Sequence, residues 1–448
     1  MQALQNKVWK KVEVKWKLIK VKGKKMKRVK KVFIILASSS IVFMMLFTWL
    51  VNSTPVFAYA CGQISILKKL AKFVAFSPSL SAAVENRYVQ PIEQEQTING
   101  ITAKIEYVIV DQKQLNIIYS LDSKIYHAMD VTPSITTKDG QLLEGYGIAS
   151  GHPDTPNGQL NYITIDFIDG DVPGGLCLTF KVQDYEGTTM EAFVEEDIFS
   201  KEVSDEQPEY ISEFTFQLDF DPYYTSQGEL IELDKRFKLG NQTIILEQAA
   251  IYPTHMNLTF NDIESNTAWL VGLDFYIENE KGKKFEKIAN GVTATGKKDS
   301  PMMASHRLES PFFSDSKELI MYITGVEWLD QDMQSIKLDL KNIYAEQLPQ
   351  NCLFESAQKK ENGWLLTFIG KKYKDNDTHQ IWKSDYYDEQ GQKYYFNKWF
   401  VSEGDRSEKT DTFRVEIPLI EYPYDIVYMS PYSTRREIFT QPIVIKIK

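Results

Sequence analysis

Ile101-Thr102-Ala103-Lys104-Ile105-Glu106-Tyr107-Val108-Ile109-Val110-Asp111-Gln112-Lys113-Gln114-Leu115-Asn116-Ile117-Ile118-Tyr119 is the stretch that decides the fold. Side chains of an extended chain alternate between two faces, so Ile101, Ala103, Ile105, Tyr107 and Ile109 share one side. Asp111 to Gln114 make a short polar connection, after which Leu115, Ile117 and Tyr119 resume the alternation. Two such runs read as an antiparallel hairpin.

The same pattern returns at a shift of 141 residues without a gap: Thr102 meets Thr243, Glu106 meets Glu247, Asn116 meets Asn257 and Tyr119 meets Phe260. A weaker third copy follows at a further shift of 108, where Leu365, Leu366, Thr367 and Phe368 meet Asn257, Leu258, Thr259 and Phe260. Each hairpin is followed by a turn glycine, Gly140, Gly282 and Gly391, where a tight turn needs positive φ. Each copy also ends on an alternating strand, Leu176 to Val182, Ser335 to Leu340 and Pro442 to Ile447. Beyond residue 95, period-two patterning punctuated by Gly, Pro, Asn and Asp gives a mainly β chain of tandem immunoglobulin-like β-sandwich units. The expected units span 97–200, 201–345 and 346–448. The acidic stretch 184–209 serves as connector, and Phe214, Phe216, Leu218 and Phe220 open the second unit.

The N-terminal part is built differently. Residues 1–31 hold 13 Lys or Arg and one acid, a net of +12, so the remaining residues carry −22 of the chain's −10. Val32 to Val51 has no charge, and about 20 residues rising about 1.5 Å each cover the roughly 30 Å of a bilayer core. Basic flanks stay on the cytoplasmic side. The expected order is therefore a basic cytoplasmic tail (1–31), one transmembrane helix (32–52), a juxtamembrane helical segment (53–96) and extracytoplasmic β units, with the lipid bilayer as first partner. An acidic ectodomain repels nucleic acid, so that class of partner is excluded. A rival reading starts translation at Met26 and cleaves a secretory signal after Ala58-Tyr59-Ala60; Cys61 would then be a lipoprotein attachment point with an atypical box before it.

After the span, Ile64, Leu67, Leu70 and Val74 recur at helical spacing, with Lys68, Lys69 and Lys72 elsewhere. Pro78 ends that helix in this reading, and a second follows over about 80–87 with Ser79 as cap. Two roles fit the first helix equally: lying on the outer membrane face, or packing on the first β unit.

Ser79 through Tyr119, with Ala82-Ala83-Val84-Glu85-Asn86, Tyr88-Val89-Gln90, Asn99-Gly100-Ile101-Thr102 and the Leu115 to Tyr119 strand, resembles the family called domain of unknown function 4179. Proteins of that Gram-positive family place a basic segment and a single span ending near Pro-x-x-Ala before the module, as Pro55-Val56-Phe57-Ala58 does here, and a second β module like 210–345 often trails it. The resemblance covers roughly residues 20–345. It implies an extracytoplasmic module beside an extracytoplasmic-function sigma factor, acting as an anti-sigma regulator. The departure is the tail, because sigma capture in such relatives uses several tens of residues of helix and here 31 mostly basic residues are present. The family has no catalytic residues to transfer.

The five histidines, His127, His152, His255, His306 and His379, are scattered without zinc-site spacing. Ser150 in Gly147-Ile148-Ala149-Ser150-Gly151 stands one residue late for a nucleophile elbow. Three cysteines are too few for a disulfide framework, and neither Cys177 nor Cys352 has a local nucleophile signature. Asp166, Asp169 and Asp171 around Gly170, and Asp375 and Asp377 around Asn376, are candidate calcium ligands set against solvated turns. Of the 18 aromatics in the last hundred residues, most lie in strand-like runs and read as core and cross-strand packing. No cofactor is called for. The expectation is a non-catalytic, membrane-anchored binding or sensing protein that modulates a sigma-factor or envelope-stress response. The alternative is a structural or adhesive surface protein in contact with cell-wall components, or the same chain secreted after cleavage.

Overall fold

The computed structural model describes residues 64–151, 157–184, 209–297, 300–371, 380–396, 400–403 and 411–448. The tail 1–31, the apolar run 32–52, the processing positions Ala58, Ala60 and Cys61, His152, His379, Asp375, Asp377 and nearly all of the connector 184–209 lie outside them. No helix among the described residues is long and apolar enough to cross a membrane. Residues Lys69–Lys448 form one compact unit, and its elements are mainly antiparallel β.

Two helices lead. Helix α1 (Ile64–Phe73) buries Leu70, and Val74 just past its end is buried too, while Lys69 and Lys72 stay exposed. Phe73 meets the Tyr162 ring edge-on at 6.2 Å and Phe76 stacks on it at 4.7 Å, so this segment packs on the first β unit. Helix α2 (Pro78–Glu85) is capped by Ser77, whose hydroxyl accepts the Leu80 amide at 3.4 Å. This corrects the expectation of Ser79. Pro78 occupies the first helical position, where its missing N–H costs nothing and its φ is already helical; it starts the second helix and does not stop the first.

The first β unit contains β1 (Gln90–Ile98), β2 (Ile101–Val110), β3 (Gln114–Ser123), β4 (Met129–Thr136), β5 (Tyr146–Ser150), β6 (Leu160–Phe167), β7 (Gly175–Asp184) and β8 (Ser212–Asp219). One sheet runs β1-β2-β3-β6-β5 and the other β4-β7-β8. Leu176, Leu178, Phe180 and Val182 of β7 and Phe214, Phe216 and Leu218 of β8 are wholly buried, each contributing about 1.5–3 kcal/mol by leaving water. Phe180 reaches Tyr119 of the facing sheet at 4.9 Å. Strand β8 thus closes the first unit, where the sequence had placed it at the start of the second; β1 likewise begins inside the segment expected to be helical. The free edge of β8 is covered by an amide ladder: Gln90, Gln94 and Gln96 donate to the carbonyls of Asp219, Gln217 and Thr215 at 2.7, 2.8 and 2.7 Å. An edge so occupied cannot template pairing with another chain.

A short helix α3 (Pro222–Thr225) leads into β9 (Glu229–Leu239), β10 (Gln242–Ile251), β11 (Met256–Asp262), β12 (Ala268–Asn279), β13 (Lys284–Phe285), β14 (Ala294–Lys297), β15 (Ser300–Leu308) and β16 (Leu319–Asp330). Next come β17 (Ile336–Asp339), β18 (Tyr344–Ala345), β19 (Cys352–Lys360), β20 (Gly363–Lys371), β21 (Trp382–Tyr387), β22 (Lys393–Tyr395), β23 (Phe400–Glu403), β24 (Thr412–Ile420), β25 (Ile426–Pro431) and β26 (Arg435–Lys446). The second unit pairs the sheet β14-β15-β11-β10-β9 with β13-β12-β16-β26, and the third pairs β18-β17-β25-β21-β22 with β19-β20-β24-β23. Leu246, Phe260, Ile323, Trp328 and Ile445 share one core; Phe368, Trp382, Tyr386 and Tyr422 share the other.

The expected closing strands are therefore exchanged. Strand β17, read as the end of the second unit, pairs with β25 in the third; the C-terminal β26, read as the end of the third, pairs with β16, setting Ile443 opposite Ile323 and Ile445 opposite Met321. The third unit is inserted between two neighbouring strands of the second. Alternation tells which face of a strand is buried and carries no information on its partner. Thr434 staples the crossing: its amide donates to Trp328 O at 2.7 Å, its carbonyl accepts from Gln350 N at 2.7 Å, and its hydroxyl accepts from Asp330 N at 2.9 Å.

The repeated hairpin is present three times and carries a repeated irregularity. In β2 the register slips between Ile105 and Tyr107, in β10 between Leu246 and Gln248, and in β19 between Phe354 and Ser356. The residue left unpaired is a glutamate each time, Glu106, Glu247 and Glu355, at the shifts read from the sequence. A β-bulge kept at one position strengthens local twist. The glycine turns also match: Gly140, Gly282 and Gly391 have φ of 86, 75 and 79°, and their amides donate to Thr137, Asn279 and Asp388 carbonyls at 3.0, 2.9 and 3.1 Å. Open space surrounds all three, so φ alone requires glycine there.

Candidate functional site

The acidic residues weighed for calcium are engaged in other ways. Asp166 lies on β6, 1% exposed, accepting from Val292 N at 2.6 Å and Gln114 Nε2 at 2.8 Å and paired with Arg307. Asp171 takes Gln112 Nε2 at 2.9 Å and Lys113 Nζ at 2.9 Å, which hold its carboxyl below the usual range. Asp169 belongs to the turn whose amide reaches Gly145 O at 3.0 Å. Among the described residues no three His, Cys, Asp or Glu side chains are grouped to hold a metal ion. Cys177 and Cys352 are free and partly buried, and burial pushes the Cys352 thiol up to about 12, far from the thiolate a nucleophile needs. Tyr386, Phe396 and Tyr422 are buried in the third core, while Tyr395 and Tyr432 remain exposed.

Polar groups converge at two places that the sequence reading did not single out. The first is a buried junction between the first and second units. Asn290 donates to Gln114 Oε1 at 3.1 Å and Asn116 Oδ1 at 3.2 Å, and accepts from the Ser77 hydroxyl at 3.0 Å. Asp111 caps the hairpin connection through Lys113 N and Gln114 N, both at 2.9 Å, while its other oxygen takes Thr254 N at 2.9 Å and Thr254 Oγ1 at 2.6 Å. Burial raises the Asp111 carboxyl above its usual range even against these bonds. His255 lies 3.9 Å from Asp111, near enough for an ion pair, but desolvation pushes it well below its ordinary value and it stands neutral. Glu309 completes the junction at the N-terminus of α2, accepting from Ser79 N at 2.7 Å, from the Ser79 hydroxyl, and from Ala289 N at 3.0 Å. A carboxylate there meets unpaired amides and the positive end of the helix dipole.

The second place is a cleft of about 390 Å³ where one end of the third unit faces the second. The ends of β20, β21 and β24 contribute Lys371, Lys383 and Phe413; the connection from β25 to β26 contributes Tyr432, and β26 contributes Arg435 and Arg436. Arg435 Nε binds Asp330 at 3.1 Å, and Arg436 reaches Asp274 at 2.6 Å and Glu327 at 3.4 Å. Of those three carboxylates only Glu327 lines the wall. Lys371 and Lys383 have no ion-pair partner among the described residues. In sequence these are separate strand-end lysines and arginines from 371 to 436, which read as solvated charge; only the insertion of the third unit brings them together. The one available signal was the pair Arg435-Arg436, which opens β26.

Residues 24–123 match the family described as a domain of unknown function, DUF4179, and residues 228–351 match the family of unknown function DUF5643. The first match takes in α1, α2 and β1 to β3; the second takes in β9 to β18, the second unit apart from β26 together with the first two strands of the third. A solved structure of a conserved domain protein from Bacillus anthracis is similar at 14% identity, covering 58% of this chain and 85% of that one, with a TM-score of 0.34. No curated protein matches.

Proposed function

We propose that this chain, which matches the DUF4179 family over residues 24–123 and the DUF5643 family over 228–351, is a non-catalytic binding or sensing protein of the cell envelope. Residues 32–52 are the transmembrane anchor, the basic tail 1–31 is cytoplasmic, and three immunoglobulin-like sandwiches stand outside. The observation that carries this reading is the seat of Glu309 on α2. The segment from Phe73 to α2 is fixed to the second unit by Ser77 and Ser79 on Asn290 and Glu309, and to the first by Phe73 and Phe76 on the Tyr162 ring. A change in the β assembly therefore reaches the chain leading to the membrane through a folded connection, as a sensor requires and a tethered adhesin does not.

The tail is the output in this proposal, and a sigma factor or another regulatory protein is its partner. Scrambling residues 1–31 at constant composition tests this. The regulator loses its effect on envelope-stress transcription while remaining in the membrane; an adhesive surface protein, needing only the charge of the tail, keeps all its properties.

A further inference from the structure

We infer that the cleft between the second and third units binds a small, multiply anionic, hydroxyl-bearing molecule, a phosphorylated or carboxylated polyol; this deepens the sensing role above and rests on it. The cavity, at about 390 Å³, is of the size that encloses a metabolite-sized ligand. Four cations and one carboxylate line it, in a chain whose residues past 31 carry −22. Both arginines are already compensated, Arg435 by Asp330 and Glu437 and Arg436 by Asp274 and Glu327, so the two lysines are the cations left to attract an anion into the concavity.

The cations divide by role. The arginines are held in fixed orientations by Asp330 and Asp274, so their guanidinium planes are set before any ligand arrives. Lys371 and Lys383 have no ion-pair partner among the described residues, and an anion between them gains charge-assisted hydrogen bonds from both. The rest of the wall suits a carbon frame bearing hydroxyls: Phe413 and the half-exposed Tyr432 ring offer apolar faces, and Ser433 offers a hydroxyl. The cleft also includes the return crossing from the third unit to the second, Tyr432 to Arg436 with the Thr434 staple, so a ligand bridging its walls stiffens that connection.

Titration calorimetry on the full chain in detergent micelles tests this, with sodium glycerol 3-phosphate, sodium citrate and neutral glycerol as probes. One anion at least binds at a single site and weakens with added salt, and glycerol does not compete. Preference between the two anions tells phosphate from carboxylate. K371E/K383E loses two charge-assisted bonds, so affinity falls by about 100-fold or more, and K371M/K383M, which keeps the apolar stems, loses binding without losing fold. K124E, an exposed charge on the first unit, binds as the parent does. Absence of anion binding up to about 10 mM, equal binding of glycerol, or K371E/K383E within about threefold of the parent overturns the inference. Tail scrambling does not involve the cleft, so failure here and failure of the sensing role are separate results.

Discussion

Asp166→Asn is the substitution that probes the junction most sharply. The asparagine keeps the shape and an acceptor for Gln114, but it strands Arg307, whose side chain is 6% exposed, without its counter-charge. Removing one partner of a buried ion pair costs about 3–5 kcal/mol, because the remaining charge stays out of water. Arg307→Met leaves Asp166 in the converse position and should cost a similar amount. D166N/R307M removes both charges and should cost less than either single change, since neutral replacement of a buried pair is often tolerated. Amide hydrogen exchange read peptide by peptide is the assay. Protection over β2–β3 and β14–β15 should fall by about a hundredfold or more in each single variant, recover in the double variant, and stay unchanged over β20. A loss below about 1 kcal/mol in D166N, or a double variant equal to the sum of the singles, refutes the claim that this pair locks the first unit to the second.

Glu309→Gln keeps hydrogen bonding but removes the charge at the α2 N-terminus, at a cost of about 1–2 kcal/mol; limited proteolysis should then nick the chain between Phe73 and Pro78 faster, and an unchanged rate would count against the seat. Acid should weaken the fold through two imidazoles: burial pushes His255 well below its ordinary value and His306 to about 4, so below pH 6.5 the unfolded chain takes up protons that the folded one does not. Stability should fall by up to about 1.4 kcal/mol per histidine per pH unit from 6.5 toward 4, seen as a declining urea midpoint, and H306Q should lessen that slope. Gly140→Ala, at φ 86° with open space around it, should cost about 1 kcal/mol in urea unfolding, and Gly140→Asn less; equal stability for all three would show that φ is not what glycine supplies.

The hairpins, the turn glycines and the threefold order were legible because each depends on residues close together in sequence. The bulge left a trace as well, since Glu106 and Glu247 coincide at the same shift as the strands around them, although a matched glutamate alone does not say that a ladder slips there. Strand exchange was not legible. Strands β17 and β26 alternate as any closing strand does, and their partners are decided by a connection crossing at Thr434. The assignment of β8 failed for the same reason, because Phe214, Phe216 and Leu218 suit either sandwich. The junction was hidden in residues with ordinary roles: Asp111 and Gln114 look like a polar hairpin connection, and they are buried only because Thr254 and Asn290 arrive from the second unit. Ser77 and Ser79 both sit near the start of α2, and Pro78 between them settles which one caps.

Protease digestion of intact protoplasts, with one epitope tag before Met1 and another after Lys448, tests the proposed sensor most directly. The account predicts that the C-terminal tag is lost from the membrane fraction while the N-terminal tag survives until the membrane is permeabilised. Retention of both tags in a cytosolic fraction would contradict it.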